Sequence, residues 1–167
     1  VRGDAIPWGN LSDYQGILLS PGPGLPSEAC GQMELIQAAA ATHSILGVCL
    51  GHQALAEFFG GRLRRIEHPF HGHDSPIRLT EPDEPFWKGV PNDAVVGRYH
   101  SWVVEDTDLP DCLIPTAWSD DDGVLMAMRH KLLPHYGVQF HPESIISDCG
   151  ERLIRNWLDI ATQIRKT

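Results

Sequence analysis

The stretch from Gly47 to Gln53 reads Gly-Val-Cys-Leu-Gly-His-Gln and carries the strongest chemical signal in this sequence. An apolar run leads into Cys49, a helix-like run follows it, and a glycine lies two residues to either side. Small flanking residues permit the sharp strand-to-helix turn that presents a nucleophile. The helix N-terminus is expected to favour the thiolate, because its dipole and free N–H groups stabilise negative charge. A buried structural cysteine is the alternative, and the paired glycines favour the nucleophile.

A second motif, from Gly137 to Ser144, reads Gly-Val-Gln-Phe-His-Pro-Glu-Ser and could supply the base that Cys49 needs. Histidine exchanges protons near neutral pH, and an acidic neighbour can orient the imidazole and stabilise its cation. His141 is therefore the predicted base and Glu143 its orienting acid. The chain has 9 histidines, so the His-Pro-Glu motif is a weak signal on its own. It becomes a strong one together with the Cys49 motif.

Four motifs in order carry a family resemblance. Besides the two above, they are Leu19 to Gly24 (Leu-Ser-Pro-Gly-Pro-Gly) and Tyr99 to Ser101 (Tyr-His-Ser). Over about residues 2 to 158 the sequence resembles the class I, triad-type glutamine amidotransferases. It is most similar to the glutaminase subunits of aminodeoxychorismate synthase and anthranilate synthase. The resemblance implies a catalytic triad of Cys49, His141 and Glu143, with no cofactor and no metal.

Attack of a thiolate on the side-chain amide of glutamine creates an oxyanion, which needs hydrogen-bond donors where the charge develops. The residue after such a nucleophile commonly donates its backbone N–H, here Leu50, and the resemblance implies Gly22 as the second donor. It also implies that Gln53, Ser101 and Trp102 hold the α-amino and α-carboxylate groups of L-glutamine, the last two mainly through the backbone. Without the family, the Gly22 loop could be an ordinary proline–glycine turn.

Two positions depart from the family pattern. The family usually has leucine where this chain has Trp102, so a backbone contact survives while the local packing differs. It usually has lysine where this chain has His73. His71, His73 and Asp74 could suggest a metal site, but no further ligands follow at clear spacing. We therefore expect this loop to lie near the glutaminase cleft or the partner interface.

Length and composition describe an acidic globular chain. Of 167 residues, 42% are hydrophobic and 21% charged, and the formal net charge is −9, which fits one domain over residues 1–167. The acidic excess disfavours binding to nucleic acid or to an anionic membrane. No apolar run approaches the roughly 20 residues of a membrane span. The four cysteines lack CxxC spacing and are expected to be free thiols in a reducing cytoplasm.

Strand and helix signals alternate early in the chain, and strand signals dominate later. Helices are predicted from a Ser27 cap to Ala41, from directly after Cys49 to Phe59 and from Cys149 to about Ile164. Strands are predicted at 16–20, 45–49, 62–67, 75–80, 94–99, 113–119, 124–129 and 136–140. This order predicts an α/β protein with a mixed sheet and helices on its faces. The resemblance implies the three-layer, flavodoxin-like class I glutamine amidotransferase fold, with helices on both faces.

In the resembled family, a further strand–helix unit precedes the segment that matches Val1 to Ala5. A sheet without an inner strand would expose a strand edge and apolar faces. We therefore expect that the first strand–helix unit of the domain is missing from this sequence.

These motifs predict a glutaminase subunit that hydrolyses L-glutamine and delivers ammonia to a chorismate-binding large (aminase) subunit. Arg98 to Glu105 and Thr116 to Ser119 resemble slightly more the aminodeoxychorismate synthase glutaminases of folate synthesis. The alternatives are anthranilate synthase component II of tryptophan synthesis and a subunit shared by both. The Pro-Gly-Pro-Gly loop argues against a cysteine peptidase or other hydrolase on the same turn. The intact triad argues against a non-catalytic regulatory relative.

Overall fold

Residues 1–164 are described by a computed structural model, and they form a seven-stranded sheet, a two-stranded ribbon and three α-helices. The strands are β1 (Gly16–Leu19), β2 (Ser44–Val48), β3 (Leu63–Arg65), β4 (His73–Leu79), β5 (Val95–Arg98), β6 (Trp102–Val104), β7 (Leu113–Ser119), β8 (Leu125–His130) and β9 (His135–Val138). The helices are α1 (Gln32–Ala39), α2 (Leu50–Phe58) and α3 (Gly150–Ile164). Short 3-10 helices cover Gly3–Ala5, Trp8–Asp13, Pro26–Glu28 and Pro85–Trp87.

The large sheet has the strand order β1-β2-β9-β8-β7-β4-β5. Strands β1, β2 and β9 are parallel, whereas β8, β7, β4 and β5 each run antiparallel to the preceding strand in that order. Because β2 and β9 are neighbours in register, Val48 pairs with Val138. The segments that follow these two residues therefore leave the sheet side by side, at the carboxyl ends where α/β proteins place their sites.

Two hydrophobic clusters lie on opposite faces of the sheet. Helices α1 and α2 cover one face, where Ile45 is fully buried, and α3 covers the other, where Leu46 is buried. Successive residues of a strand point to opposite faces, so β2 supplies both clusters. On the α3 side, Trp157 Nε1 donates to Ser44 Oγ at 2.9 Å and anchors the helix to β2. The predicted mixed sheet with helices on both faces is confirmed.

The predicted start of the first helix is wrong. Ser27 lies inside the 3-10 helix Pro26–Glu28, and α1 begins only at Gln32. Glu28 Oε2 accepts from Leu25 N at 2.9 Å and closes a separate turn. Gly31 then adopts φ 71°, where a Cβ would lie 2.7 Å from Gly3 O. A contact with a distant segment of the chain therefore decides where α1 starts.

The eight predicted strands are present, most of them with ends shifted by one or two residues. Strand β6 was not predicted, because its three residues are ordered by pairing with β3, a contact between distant segments. The last strand ends at Val138 rather than Phe140. Beyond it, His141 N donates to Gly97 O at 2.9 Å, so the chain turns towards β5. Strand β1 lies at one edge of the sheet, and Leu18 is 44% exposed.

The guanidinium of Arg98, at the end of β5, is fully buried. Its hydrogen-bond partners come from neighbouring segments: Asp122 Oδ2 at 2.9 Å, Ser119 Oγ at 3.2 Å, Ser75 Oγ at 3.3 Å and His100 Nε2 at 3.2 Å. The Phe70 ring centre lies 3.7 Å from the guanidinium carbon. A buried cation is tolerated only when it is paired and hydrogen-bonded. This network joins β4, β5 and β7 and fixes the strand that leads into Tyr99.

Asp122→Asn is expected to lower the free energy of unfolding at pH 7. Breaking a fully buried pair costs about 3–5 kcal/mol, but the Asp122 side chain is 33% exposed, so we expect about 1–2 kcal/mol. Burial alone would raise the pKa of Asp122, but hydrogen bonds from Arg98 and Ser119 and the Arg98 charge hold it below its usual value. A lowered carboxyl pKa stabilises the fold fully above the unfolded-state pKa, and this stabilisation is lost as the pH falls to the folded-state pKa. The difference in the free energy of unfolding between wild type and Asp122→Asn should therefore shrink below about pH 4.

Urea unfolding at pH 7 and pH 3 measures this effect. Asp121→Asn, an exposed neighbour in the same turn, is the matched control and should unfold like the wild type. Equal unfolding midpoints for wild type and Asp122→Asn at pH 7 would contradict the prediction.

Candidate active site

Cys49 occupies a strained turn between β2 and α2. Its backbone has φ 51° and ψ −99°, and among residues 1–164 it is the one non-glycine residue with a positive φ. A Cβ on Gly47 would overlap the Gly51 carbonyl, and a Cβ on Gly51 would lie 2.6 Å from Leu19 Cβ. The turn therefore requires both glycines. The sharp strand-to-helix turn predicted from the sequence is present, and strain of this kind is concentrated at functional sites.

The Cys49 thiol is buried, with 6% of the residue exposed. Burial raises its pKa to about 11, although the Leu50 backbone N–H lowers it. The negative charge of Glu143 raises this pKa and a hydrogen bond from Gln139 lowers it. The N–H group at the start of α2 favours the thiolate, as expected from the sequence, but burial has the larger effect and opposes it. Attack by this sulfur requires a base. Free thiols are found at all four cysteines, as predicted.

His141 and Glu143 form a close pair beyond β9. His141 Nδ1 lies 2.7 Å from Glu143 Oε1. Since a carboxylate can only accept, Nδ1 carries the proton, and in the neutral ring Nε2 keeps its lone pair. Among the described residues, Nε2 is buried without a hydrogen-bond partner. The arrangement leaves one nitrogen held by an acid and the other available to take up a proton.

The sheet brings this pair to Cys49. Cys49 N donates to Val138 O at 2.8 Å, so the turn is bonded directly to the strand that leads to His141. His141 is itself held by β5 through Gly97 O, and its carbonyl accepts from Ser147 Oγ at 2.6 Å. The charge of Glu143 acts on the Cys49 sulfur. The three residues of the predicted triad therefore converge at one end of β2 and β9.

The two predicted oxyanion donors lie next to each other. Gly22 follows β1, the neighbour of β2, and a Cβ on Gly22 would lie 2.8 Å from Leu50 Cδ2. The backbone N–H of Leu50 is near enough to the Cys49 sulfur to lower its pKa. The Pro-Gly-Pro-Gly loop thus packs against the first residue of α2, beside the nucleophile. A role of Gly22 and Leu50 as oxyanion donors remains a prediction.

The predicted glutamine-binding residues are brought together where α2 meets β6. Gln53 is buried on α2, and its Nε2 donates to Trp102 O at 2.8 Å. Ser101 precedes Trp102, and its carbonyl accepts from Ile66 N at 3.0 Å. In the free chain, the Trp102 carbonyl is therefore engaged by Gln53. Their role in binding glutamine remains a prediction.

Two residues of the site were given no role from the sequence. The fully buried Gln139 donates through Nε2 to Cys49 Sγ at 3.6 Å and accepts from Gln53 at 3.2 Å. Tyr99 packs edge-on against the His141 ring, with ring centres 5.0 Å apart. The signal for Gln139 was a polar residue inside an apolar strand, and the signal for Tyr99 was its place in a family motif.

The loop with the His73 departure lies close to these residues. Gly72 N donates to Arg98 O at 2.9 Å, and a Cβ on Gly72 would lie 3.4 Å from the Tyr99 ring. His73 is exposed at the start of β4, with its ring centre 5.2 Å from that of Phe70.

Within residues 1–164 no three histidine, cysteine, aspartate or glutamate side chains cluster as metal ligands would. No helix in that part of the chain could cross a membrane.

Known proteins share this sequence and fold. The sequence pattern of the family "Glutamine amidotransferase class-I" matches residues 4–161. The chain is 44% identical over 159 residues to aminodeoxychorismate synthase component 2 of Escherichia coli K12. That match covers 94% of this chain and 83% of that protein. It is 45% identical over 146 residues to anthranilate synthase component 2 of Pseudomonas aeruginosa PAO1. That match covers 85% of this chain and 72% of that protein.

A solved structure from Thermoplasma acidophilum, that of a candidate GMP synthase component, gives a TM-score of 0.83 at 26% identity. The match covers 99% of this chain and 81% of that one. The fold agrees with the family pattern, which spans most of the chain. The predicted fold class is confirmed, and the chain belongs to the class I glutamine amidotransferase family.

Proposed function

We propose that this chain is the glutaminase subunit of a chorismate-aminating synthase. It hydrolyses L-glutamine to glutamate and passes the ammonia to a larger, chorismate-binding subunit. The observation that carries the proposal is the meeting of the strained Cys49 turn with the His141–Glu143 pair at adjacent strand ends. Relatives of similar identity are named as the second components of such synthases. The four free thiols fit a reducing cytoplasm.

The chemistry follows from the groups around the sulfur. His141 Nε2 takes the proton from Cys49 as the sulfur attacks the side-chain amide carbon of glutamine. The N–H groups of Gly22 and Leu50 bind the oxyanion. The C–N bond then breaks, and the proton from His141 leaves with ammonia. Water, deprotonated by His141, attacks the thioester, the C–S bond breaks and glutamate is released. His141 returns the proton to the Cys49 sulfur, while Glu143 keeps the imidazole oriented.

The substrate's α-amino and α-carboxylate groups bind at Gln53, Ser101 and Trp102. Gln53 and the Trp102 carbonyl are bonded to each other in the free chain, so glutamine replaces or extends an existing contact. The segment at Ser101 and Trp102 adjoins the loop that contains Gly72 and His73. We assign the surface at this loop to the large subunit. Substrate and partner would therefore act on neighbouring backbone.

The pathway that we propose is 4-amino-4-deoxychorismate synthesis, which leads to folate. The support is the resemblance of Arg98 to Glu105 and Thr116 to Ser119 to the glutaminases of that pathway. The identities of 44% to an aminodeoxychorismate synthase component and 45% to an anthranilate synthase component favour neither pathway. Anthranilate synthesis, or use of one subunit by both synthases, is the alternative.

A large subunit is expected to activate this glutaminase. In the free chain, Cys49 is a buried thiol with a pKa near 11, and His141 Nε2 lacks a hydrogen-bond partner among the described residues. Docking that aligns these groups needs a coupling free energy of only about 1–3 kcal/mol to raise kcat/KM by about 5- to 150-fold. Such activation also prevents loss of ammonia when no acceptor is present.

Steady-state glutaminase kinetics with and without each type of chorismate-binding large subunit test the proposal. The cognate subunit should raise kcat/KM and form a complex on gel filtration, and the other type should do neither. Activation by both types would indicate a shared subunit. Equal kcat/KM in all cases, with no complex, would overturn the partner-activated function and favour a stand-alone hydrolase.

A further inference from the structure

Gln139 places a buried carboxamide beside the nucleophile. It follows β9 directly, and its N–H donates to Met126 O at 2.8 Å, which ties it to β8. It is fully buried, as are its apolar neighbours Val138 and Phe140. A carboxamide in such surroundings is costly unless its polar atoms are bonded. Both ends of the Gln139 amide have partners, and both partners belong to the candidate site.

Three hydrogen bonds run in series through this side chain. Gln53 Nε2 donates to Trp102 O at 2.8 Å and to Gln139 Oε1 at 3.2 Å. Gln139 Nε2 then donates to Cys49 Sγ at 3.6 Å. The carbonyl of Trp102 can only accept, so Gln53 must present its nitrogen, and Gln139 must present its oxygen to Gln53. The Gln139 nitrogen therefore faces the sulfur.

We propose that Gln139 is a positioning residue that holds the Cys49 sulfur and couples it to the glutamine-binding segment at Gln53 and Trp102. The inference rests on the proposed function and deepens it. A hydrogen bond to sulfur strengthens as negative charge develops there. The Gln139 N–H thus stabilises the sulfur while its proton moves to His141 and later to the departing ammonia. Gln139 itself neither gains nor loses a proton.

This contact differs from the other donor to the sulfur. The Leu50 N–H is part of the turn, because Leu50 follows the nucleophile directly. Gln139 comes from the segment after β9, 90 residues away along the chain, and its orientation depends on Gln53 and Trp102. A substrate or partner that shifts the Trp102 segment would therefore change the hydrogen bonding of the sulfur without moving the turn.

Gln139→Met tests the inference, because methionine has a similar length and no N–H donor. In the free chain, the rate of Cys49 alkylation by iodoacetamide is followed from pH 7 to 10, by mass spectrometry of the Cys49 peptide. We expect a rate roughly 10-fold below wild type across this range, which equals a rise of about one unit in the thiol pKa. Glutaminase kcat should fall about 10- to 100-fold, while KM changes less than about threefold.

Gln37→Met makes the same change at an exposed position on α1 and should alter neither measurement. The exposed Cys30 is an internal reference, and its alkylation should be equal in all variants. Gln139→Glu keeps the size and an acceptor for Gln53 but faces the sulfur with a carboxylate. Its Cys49 should react more slowly still, and this variant keeps the test decisive if Gln139→Met fails to fold.

Identical Cys49 alkylation profiles in wild type and both Gln139 variants would overturn the inference, even if the wild type hydrolyses glutamine. Lower stability or a higher KM with unchanged Cys49 reactivity would also overturn it, because a merely structural role predicts that result. Absence of glutaminase activity from the wild type, with and without a large subunit, would overturn the proposed function instead. The alkylation profiles would still report on the contact between Gln139 and the sulfur.

Discussion

Cys49→Ser is expected to abolish glutamine hydrolysis, with kcat at least about 1000-fold below wild type. Serine is far less acidic than cysteine, and a site arranged for sulfur gives its hydroxyl too little activation. Burial already raises the pKa of the Cys49 thiol to about 11, so the less acidic serine hydroxyl would remain protonated. The partner's use of added ammonium salts should persist, because this subunit only supplies the ammonia.

Release of glutamate and ammonia by the purified variant, alone and with a large subunit, measures this effect. Cys149→Ser is the matched control, since Cys149 is also buried and burial raises its thiol pKa to about 11. That variant should keep the wild-type kcat. If Cys49→Ser retained more than a few per cent of the glutaminase activity, Cys49 would not be the nucleophile.

His141→Ala is expected to slow acylation of Cys49 by about 10²- to 10⁴-fold at pH 7, the usual contribution of a positioned base. The buried thiol has no other obvious route for its proton among the described residues, because Gln139 and Leu50 present donors to it. The rate of Cys49 modification by a reactive glutamine analogue measures this step without later hydrolysis. A rate equal to that of the wild type would exclude His141 as the base.

Glu143→Ala should have a smaller effect than His141→Ala, since Glu143 orients and polarises the imidazole but transfers no proton. Its side chain is 58% exposed, and water can replace part of its contact with Nδ1. His130→Ala is a suitable control, because His130 ends β8 at the opposite end of the sheet from the site. A larger loss in Glu143→Ala than in His141→Ala would reverse the two assigned roles.

The sequence by itself determined the features that depend on neighbouring residues. Gly47 and Gly51 allow the turn at Cys49 because only a residue without a side chain fits there. Stretches bounded by proline, glycine, aspartate and asparagine predicted eight of the nine strands found in residues 1–164, although most of their ends shifted by one or two residues. The motifs around Cys49 and His141 indicated the family, which the comparison with known proteins confirms. All of these properties are encoded within a few residues of chain.

The tertiary structure alone decided what depends on distant segments. The pairing of β2 with β9 brings Cys49 beside His141, and no local pattern specifies which strands become neighbours. Burial, and not the helix N-terminus, sets the protonation of Cys49, because desolvation depends on everything that packs around the sulfur. The bridge through Gln139 likewise exists only once α2, β6 and β9 are assembled. Strand order, burial and such bridges arise from packing between remote parts of the chain, and local propensity does not encode them.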